Sequence, residues 1–132
     1  AFSLFDKIHK AGLQAGVVLN PETPVSAITP YLAELDKVTI MTIDPGFAGQ
    51  RFLASMLDKI TELRKLRSEH GYKYVIEMDG STNKAHWKMI HDSKPDIYII
   101  GKSGLFSLTD NIESSWNQMV AEFEETTGEK FA

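Results

Sequence analysis

The segment Met41-Thr42-Ile43-Asp44-Pro45-Gly46-Phe47-Ala48-Gly49-Gln50 decides how this chain folds. It continues an apolar run that begins at Val38 and has the length and β-branched content of a buried strand. A loop containing proline and glycine ends the strand, and an amphipathic helix is predicted from about Arg51. Glycines at the carboxyl end of a parallel strand let backbone N–H groups approach a phosphate or a flat substrate. The segment therefore predicts one βα unit of an α/β fold with a ligand site at its rim.

The same arrangement recurs at two later strand ends. Glu77-Met78-Asp79-Gly80-Ser81 closes one predicted strand, and Gly101-Lys102-Ser103-Gly104 follows another. Four strands are predicted in all, at 15–20, 38–43, 74–78 and 97–100. Helices are predicted at about 2–12, 23–35, 51–71, 83–91 and from 111. This α-βα-βα-βα-βα order predicts right-handed βαβ units and a parallel sheet in a single domain over residues 1–132.

The number of strands leaves two architectures open. Four parallel strands form either a small open sheet or half of an eight-stranded barrel. A complete (β/α)8 barrel takes about 250 residues, whereas this chain has 132. The chain also starts without methionine, in what reads as the middle of a helix at residues 1–7. We therefore expect it to have been cut from something longer.

Composition excludes several function classes. Hydrophobic residues make up 42% and charged residues 24%, which is the balance of an ordinary globular domain with a real core. The net charge of −4 and the lack of a Lys or Arg run argue against a nucleic-acid partner. The chain has no cysteine, so a disulfide framework and thiolate-bound zinc are excluded. No apolar run reaches the roughly 18 residues of a membrane span, the start is not a signal peptide, and a cytoplasmic location fits.

Asp79 is the sharpest candidate for chemistry. It ends a predicted strand and is followed by Gly80 and Ser81. A carboxylate at the carboxyl edge of a parallel sheet can act as a general base or hold a divalent metal. The alternative is that Asp79 caps the turn or the helix that follows, as aspartate before glycine often does.

The glycine-containing loops predict a phosphate site. Residues 80–81 and 101–104 follow the last two strands, where barrels commonly bind phosphate. Gly46 and Gly49 belong to the preceding loop, and three such loops in register are more specific than any one of them. We favour the backbone of residues 102–104 as the phosphate ligand over the Lys102 side chain.

Aromatic, sulfur and imidazole side chains have structural interpretations beside functional ones. Phe47 is interpreted as part of a mobile lid that excludes water, with a static turn as the alternative. Met41 and Met78 are interpreted as core residues or as polarizable contacts to a reaction intermediate. The remaining large side chains are interpreted as core, namely Phe52, Met56, Trp87 and Trp116. The histidines lack a metal-pair spacing and are interpreted as surface residues: His9, His70, His86 and His91.

Three segments resemble a known family. Residues 38–50 are similar to the strand-six segment of the ribulose-phosphate 3-epimerase family, with its Met-Thr/Ser-Val-x-Pro-Gly-Phe-x-Gly-Gln pattern. Residues 77–83 resemble its strand-seven segment and residues 101–106 its strand-eight segment. The Asp-Gly-Ser form at 79–81 and the Ser-Gly-Leu-Phe form within the last segment look most like the D-allulose-6-phosphate 3-epimerase branch. The turn at 20–24 agrees with that branch.

The resemblance implies the carboxyl half, strands five to eight, of a (β/α)8 barrel, with the N-terminal half absent. The implied reaction inverts C3 of a ketose phosphate, D-allulose 6-phosphate or D-ribulose 5-phosphate, through a cis-enediolate held by zinc, iron, manganese or cobalt. Asp79 matches an aspartate that is both metal ligand and acid/base, and Met41 matches a methionine that lines the intermediate. The substrate and phosphate loops are matched by Gly46, Phe47, Gly49, Gly80, Ser81, Lys102 and Ser103. Lys102 departs from the small residue usual at its position.

The resemblance also implies ligands that this sequence lacks, two histidines and a second aspartate on strands two and three. We therefore expect the 132 residues to bind phosphate but not to epimerise alone. Bare strand edges and an apolar inner face predict self-association or assembly with a missing N-terminal half.

Two competing interpretations remain. One is a non-catalytic half barrel that only binds phosphorylated ligands. The other, outside the family, is a flavodoxin-like receiver or cofactor domain. It needs an acidic cluster or a glycine-rich loop after the first strand, and residues 15–23 supply neither.

Overall fold

A parallel β-sheet forms the centre of the protein. The structure is a computed structural model, and it describes residues 1–46 and 50–131. All neighbouring strands are parallel, and their order in the sheet follows the sequence. The α/β class and the parallel sheet expected from the sequence are confirmed. The strands are β1 (Gly16–Leu19), β2 (Lys37–Met41), β3 (Val75–Asp79) and β4 (Ile97–Ile99).

One face of the sheet carries the main hydrophobic core. Side chains on this face alternate along each strand, because successive residues of a strand point to opposite sides. Helix α2 (Leu57–His70) covers the face and buries Ile60 and Leu63 completely. The buried strand residues of this core are Leu19, Val38, Ile40, Ile76 and Met78.

The opposite face is largely uncovered in the part of the chain that the structure describes. Val18 is 61% exposed and Ile97 is 38% exposed on this face. At its centre Glu77 is buried, and its Oε1 accepts a hydrogen bond of 2.7 Å from the Thr39 hydroxyl. Lys37 Nζ lies 3.1 Å from the same oxygen, so the carboxylate is paired as well as hydrogen-bonded.

The described part of the chain contains four α-helices, and two of them begin later than the sequence predicts. Expected starts near 51 and 83 are replaced by starts at Leu57 and Trp87. Asn83 Oδ1 accepts the N–H of Ala85 at 3.1 Å, which forms a side-chain turn in place of the first helical turn. No helix among the described residues is long and apolar enough to cross a membrane. The helices are α1 (Phe2–Lys10), α2, α3 (Trp87–Ser93) and α4 (Ile112–Thr127).

The prediction of one continuous helix between β1 and β2 is wrong. The chain there forms two short 3₁₀-helices, Val25–Ala27 and Thr29–Glu34. Ile28 separates them with φ of −113°, and Pro30 in the second has no N–H to donate. The apolar positions still pack inward, since Val25, Ile28, Leu32 and Leu35 are all buried.

A second hydrophobic cluster joins α3 and α4 to the loop after β4. Its buried members are Trp87, Leu105, Met119 and Phe123. Trp116, expected in the core, is 46% exposed. Helix α4 continues to Thr127 and stops at left-handed Gly128. Beyond it, the Phe131 ring packs edge-on against Phe123 at 5.5 Å.

Candidate active site

A cavity of about 630 Å³ opens at the carboxyl edge of the sheet, between the loops after β3 and β4. This is the edge at which open and closed parallel sheets place their ligands. The loop after β2 contributes Ile43 and Gln50 to the wall. The remaining lining residues come from the other two loops and strand ends: Asp79, Gly80, Ser81, Thr82, Asn83, Ile99, Gly101, Lys102, Ser103 and Ser107.

Asp79 is the carboxylate of this cavity. It is the last residue of β3 and lies in register with Met41 of β2 and Ile99 of β4. Burial raises the pKa of Asp79 above its usual value, and the negative charge of nearby Glu77 raises it further. A half-buried carboxylate of raised pKa that lines a cleft has the features of a general base.

A strained turn directly follows Asp79. Gly80 has φ of 138°, and Ser81 has φ of 53°, a left-handed conformation that non-glycine residues seldom adopt. Glycine is required at 80 because a Cβ there would lie 2.8 Å from the Thr42 hydroxyl oxygen and 2.9 Å from the Ile43 nitrogen. The Thr42 hydroxyl donates to the Gly80 carbonyl at 2.7 Å, which holds the turn against the loop after β2. The turn therefore fixes the backbone next to the carboxylate.

The loop after β4 forms a single π-helical turn, Lys102–Phe106. The amides at its start have no partner inside the helix. Ser107 Oγ donates to the Lys102 carbonyl at 2.8 Å, and Asn83 Nδ2 donates to Ser103 Oγ at 2.9 Å. The second bond ties this loop to the loop after β3.

The two loops also touch through their backbones. A Cβ on Gly104 would lie 1.9 Å from the Thr82 carbonyl oxygen, so only glycine fits at this position. Thr82 is itself buried, and its hydroxyl contacts the Met78 sulfur at 3.4 Å. Residues 80–83 and 101–104 thus form one continuous wall of the cavity.

Residues predicted for the site fall into three groups. Asp79, Gly80, Ser81, Lys102 and Ser103 line the cavity together. Met41 lies beside Asp79 in the sheet register, and exposed Gly46 (φ 140°) lies in the loop after β2; neither is among the lining residues. Phe47, with its predicted lid role, and Gly49 lie outside the described residues.

Some residues of the site were not singled out from the sequence. Thr42, Asn83 and Ser107 hold the loops, and Gln50 lines the wall. The signal for Thr42 and Asn83 is their place inside the matched segments, beside the glycines.

The surface interpretation of the histidines is wrong for three of the four. His9 Nε2 lies 2.9 Å from an Asp36 oxygen, and His91 Nδ1 lies 2.8 Å from the Tyr98 hydroxyl. His86 contacts the Ser81 carbonyl at the rim of the site. His9, His86 and His91 are each half-buried, whereas His70 is exposed as expected.

A second cavity of about 510 Å³ lies next to the first on the same rim. Gln50 lines both cavities. The wall of the second cavity includes three exposed charged residues, Glu22, Asp44 and Arg51. It places charged groups of both signs beyond the end of β1.

A metal ion needs more donors than this cavity offers. Structural and catalytic sites usually take three or more protein ligands. Within residues 1–46 and 50–131, no group of three His, Asp or Glu side chains is arranged to hold one. Asp79 is therefore a single potential ligand, and the residues present do not fit a complete metal site.

Known proteins share sequence similarity with this chain. The model of the ribulose-phosphate 3-epimerase family matches residues 2–106. Ribulose-phosphate 3-epimerase of Bacillus subtilis is 40% identical over 97 residues, which cover 73% of this chain and 45% of the relative.

Two further relatives match over a longer stretch. Chloroplastic ribulose-5-phosphate-3-epimerase of Arabidopsis thaliana is 39% identical over 83% of this chain and 38% of its own length. Ribulose-phosphate 3-epimerase of Treponema pallidum is 37% identical over 83% of this chain and 50% of its own length. The chain thus spans about half the length, or less, of these curated relatives. It belongs to the ribulose-phosphate 3-epimerase family.

Proposed function

We propose that this chain supplies the carboxyl half of an enzyme that inverts C3 of a ketose phosphate. The observation that carries the proposal is the shared cavity of Asp79 and the loops after β3 and β4, in a chain of this family. The similarity to ribulose-phosphate 3-epimerases favours D-ribulose 5-phosphate as the substrate. The Asp79-Gly80-Ser81 form keeps D-allulose 6-phosphate as the alternative sugar.

Asp79 is assigned the proton transfer at C3. Its carboxylate takes the C3 proton from one face of the sugar, and the C3–H electron pair moves toward the neighbouring carbonyl to give an enediolate. The raised pKa of Asp79 favours this step, because a stronger conjugate base removes a carbon-bound proton more readily. Among the described residues that line the cavity, Asp79 is the single carboxyl group. Reprotonation from the other face therefore needs an acid from outside this set.

The substrate phosphate is assigned to the wall formed by the loops after β3 and β4. Gly101, Lys102, Ser103 and Ser81 line this wall, and backbone N–H groups and serine hydroxyls are groups that bind phosphate oxygens. The chain as a whole has a net charge of −4, but Lys102 places a positive charge at this wall. Met41, Gly46, Phe47 and Gly49 remain proposed rim residues on the side of β2.

Asp79 is the residue that we assign as a ligand of a divalent metal ion. The expected zinc, iron, manganese or cobalt would polarise the substrate oxygens when bound, and Asp79 would be one ligand. The other ligands must come from outside the described residues, because these offer no second donor set.

The same sheet is proposed to be half of a (β/α)8 barrel, residues 1–132 forming one domain. Four parallel strands in sequence order, an uncovered face and the partial coverage of the relatives support this. The uncovered face is proposed to be closed by a complementary N-terminal half or by a second copy. Sedimentation of the purified chain as a stable monomer would contradict the second-copy form. A cytoplasmic location stays a prediction.

The test of the proposal follows the C3 proton directly. In D₂O, the chain mixed with an N-terminal segment of the Bacillus subtilis relative should exchange the C3 proton of D-ribulose 5-phosphate, seen by ¹H NMR. The variant Asp79→Asn in the same mixture should be slower by about 10² to 10⁴-fold. Exchange that survives in Asp79→Asn would refute the assigned base. D-allulose 6-phosphate run in parallel decides between the sugars.

The second candidate function is phosphate binding without turnover. It is favoured for the chain alone by the single carboxyl group of the cavity and the incomplete metal site. Turnover by the purified chain with added metal ion and no second polypeptide would exclude it.

A further inference from the structure

His86 makes two contacts that join separate loops of the rim. It immediately precedes α3, and its Nδ1 lies 2.7 Å from the Ser81 carbonyl oxygen in the loop after β3. Its ring stacks on Phe52, with centroids 4.0 Å apart and planes inclined by 17°. Phe52 belongs to the loop after β2, so one imidazole touches both loops.

The partner of His86 fixes its hydrogen position. A carbonyl oxygen can only accept a hydrogen bond, so Nδ1 must carry the hydrogen. The stacked Phe52 ring fixes the imidazole plane, which keeps the N–H aimed at Ser81. The same carbonyl belongs to the residue whose φ of 53° is unfavourable for a non-glycine side chain. The bond therefore holds the one strained non-glycine residue among the described residues that line the cavity.

The opposite side of this turn is held as well. The Thr42 hydroxyl binds the Gly80 carbonyl, one residue before Ser81. Ser81 Oγ also reaches the Gln50 carbonyl at 3.4 Å. Two successive peptide carbonyls are thus held from two directions, and the backbone between Asp79 and Asn83 has little freedom to rotate.

We propose that His86 is a positioning residue of the phosphate site: its Nδ1–H bond to Ser81 shapes the turn, and the stack on Phe52 only holds the ring in place for that bond. The inference rests on the proposed function, since the turn it holds lines the proposed phosphate wall. His86 itself does not line the cavity, so it acts through Ser81 and not on the ligand.

Two variants separate the hydrogen bond from the ring. His86→Phe keeps a flat ring for Phe52 and removes the donor. His86→Asn loses the stack but places an amide N–H close to the position of Nδ1. Binding of D-ribulose 5-phosphate is followed by ¹H–¹⁵N NMR titration, with circular dichroism to establish that each variant is folded.

The expected result is roughly tenfold weaker binding for His86→Phe, with His86→Asn within about threefold of the unsubstituted chain. Equal binding by all three, or equal loss in both variants, would overturn the positioning role while leaving the proposed function intact. No binding by the unsubstituted chain would refute both. A ¹⁵N spectrum of the imidazole tests the geometry without ligand: hydrogen on Nδ1 supports the inference, and hydrogen on Nε2 alone overturns it.

Discussion

The hydroxyl of Thr42 donates a hydrogen bond of 2.7 Å to the carbonyl of Gly80. The Thr42 backbone N–H also donates to the Asp79 carbonyl at 2.9 Å. The hydroxyl and the backbone N–H of Thr42 thus bind the carbonyls of two consecutive residues at the end of β3. Because Thr42 is completely buried, water cannot replace either bond if it is lost.

Replacement of Thr42 by valine tests the hydroxyl bond. Thr42→Val keeps the shape of the side chain but leaves the Gly80 carbonyl without this donor. We expect a loss of about 1 to 2 kcal/mol in the free energy of unfolding, measured by urea denaturation. Thr61→Val on the exposed side of α2 is the matched control and should change stability little. Equal effects of the two substitutions would show that the Gly80 bond contributes nothing specific.

Replacement of Gly80 by alanine tests steric crowding at the turn. The added Cβ meets Thr42 and Ile43 at under 3.0 Å, and φ of 138° is unfavourable for alanine. We expect a loss of about 2 to 4 kcal/mol. Gly12→Ala also has positive φ (77°) but meets nothing within 4 Å, so it should lose only about 1 kcal/mol. Thermal unfolding of both variants measures the difference, and an equal loss would argue against crowding.

Asp79→Asn should stabilise the fold while it abolishes the proposed chemistry. The folded-state pKa of Asp79 is raised, so its ionised form is disfavoured on folding. That cost is absent below the unfolded pKa of 3.8 and grows as the pH rises toward the folded pKa, above which it is complete. The variant should therefore unfold at a higher urea concentration at pH 7, and the gain should vanish near pH 3. A variant less stable than the unsubstituted chain at pH 7 would contradict this.

Asp36 lies at the other end of the sheet, and its effect on the free energy of unfolding depends on pH in the opposite direction to that of Asp79. Its Oδ2 accepts the Ala15 N–H at 2.8 Å and the His9 ring N–H at 2.9 Å, and Lys73 Nζ lies 3.2 Å from Oδ1. These contacts, the Ala15 bond foremost, lower the pKa of Asp36 from 3.8 to about 2. Its stabilising effect is full above pH 3.8 and is lost as the pH falls through about 2.

Asp36→Asn should therefore lose about 1 to 2 kcal/mol at pH 7, since the amide keeps an oxygen for Ala15 but not the charge. Urea denaturation at pH 7, 5 and 3 gives the free energies. The difference between variant and unsubstituted chain should be constant from pH 7 to 5 and smaller at pH 3. A difference that does not shrink there would show that the charge of Asp36 is not its source.

Local sequence patterns predict the sheet and the glycine turns of this protein. The run from Val38 to Ile43 is β-branched and apolar, and the glycines at 80 and 104 occupy positions where a side chain does not fit. The strand signal is local, whereas the contacts that require glycine at 80 and 104 come from Thr42, Ile43 and Thr82 in neighbouring segments. The position of Asp79 at the cavity follows from its place at a strand end, because parallel strands end on the same edge.

Features that depend on distant contacts were not predictable in this way. His86 reads as a surface residue until Phe52 and Ser81 are brought beside it by the packing of the loops after β2 and β3. Phe131 contacts Phe123 because α4 stops at Gly128, and no short-range sequence pattern indicates this contact. Between β1 and β2, the apolar spacing gave the buried face correctly but not the helix type, because Pro30 and Ile28 interrupt the α-helical hydrogen bonds.

The fit of Gly104 under the Thr82 carbonyl has a consequence for selectivity. Main-chain atoms in contact fix the spacing of the β3 and β4 loops, so this wall cannot widen for a larger ligand without unfolding locally. In the proposed enzyme, any difference in the chain length of the sugar would then be accommodated toward β1 and β2, where Glu22, Asp44 and Arg51 surround the neighbouring cavity. The proposed function would thereby separate sugar selection from phosphate binding within one rim.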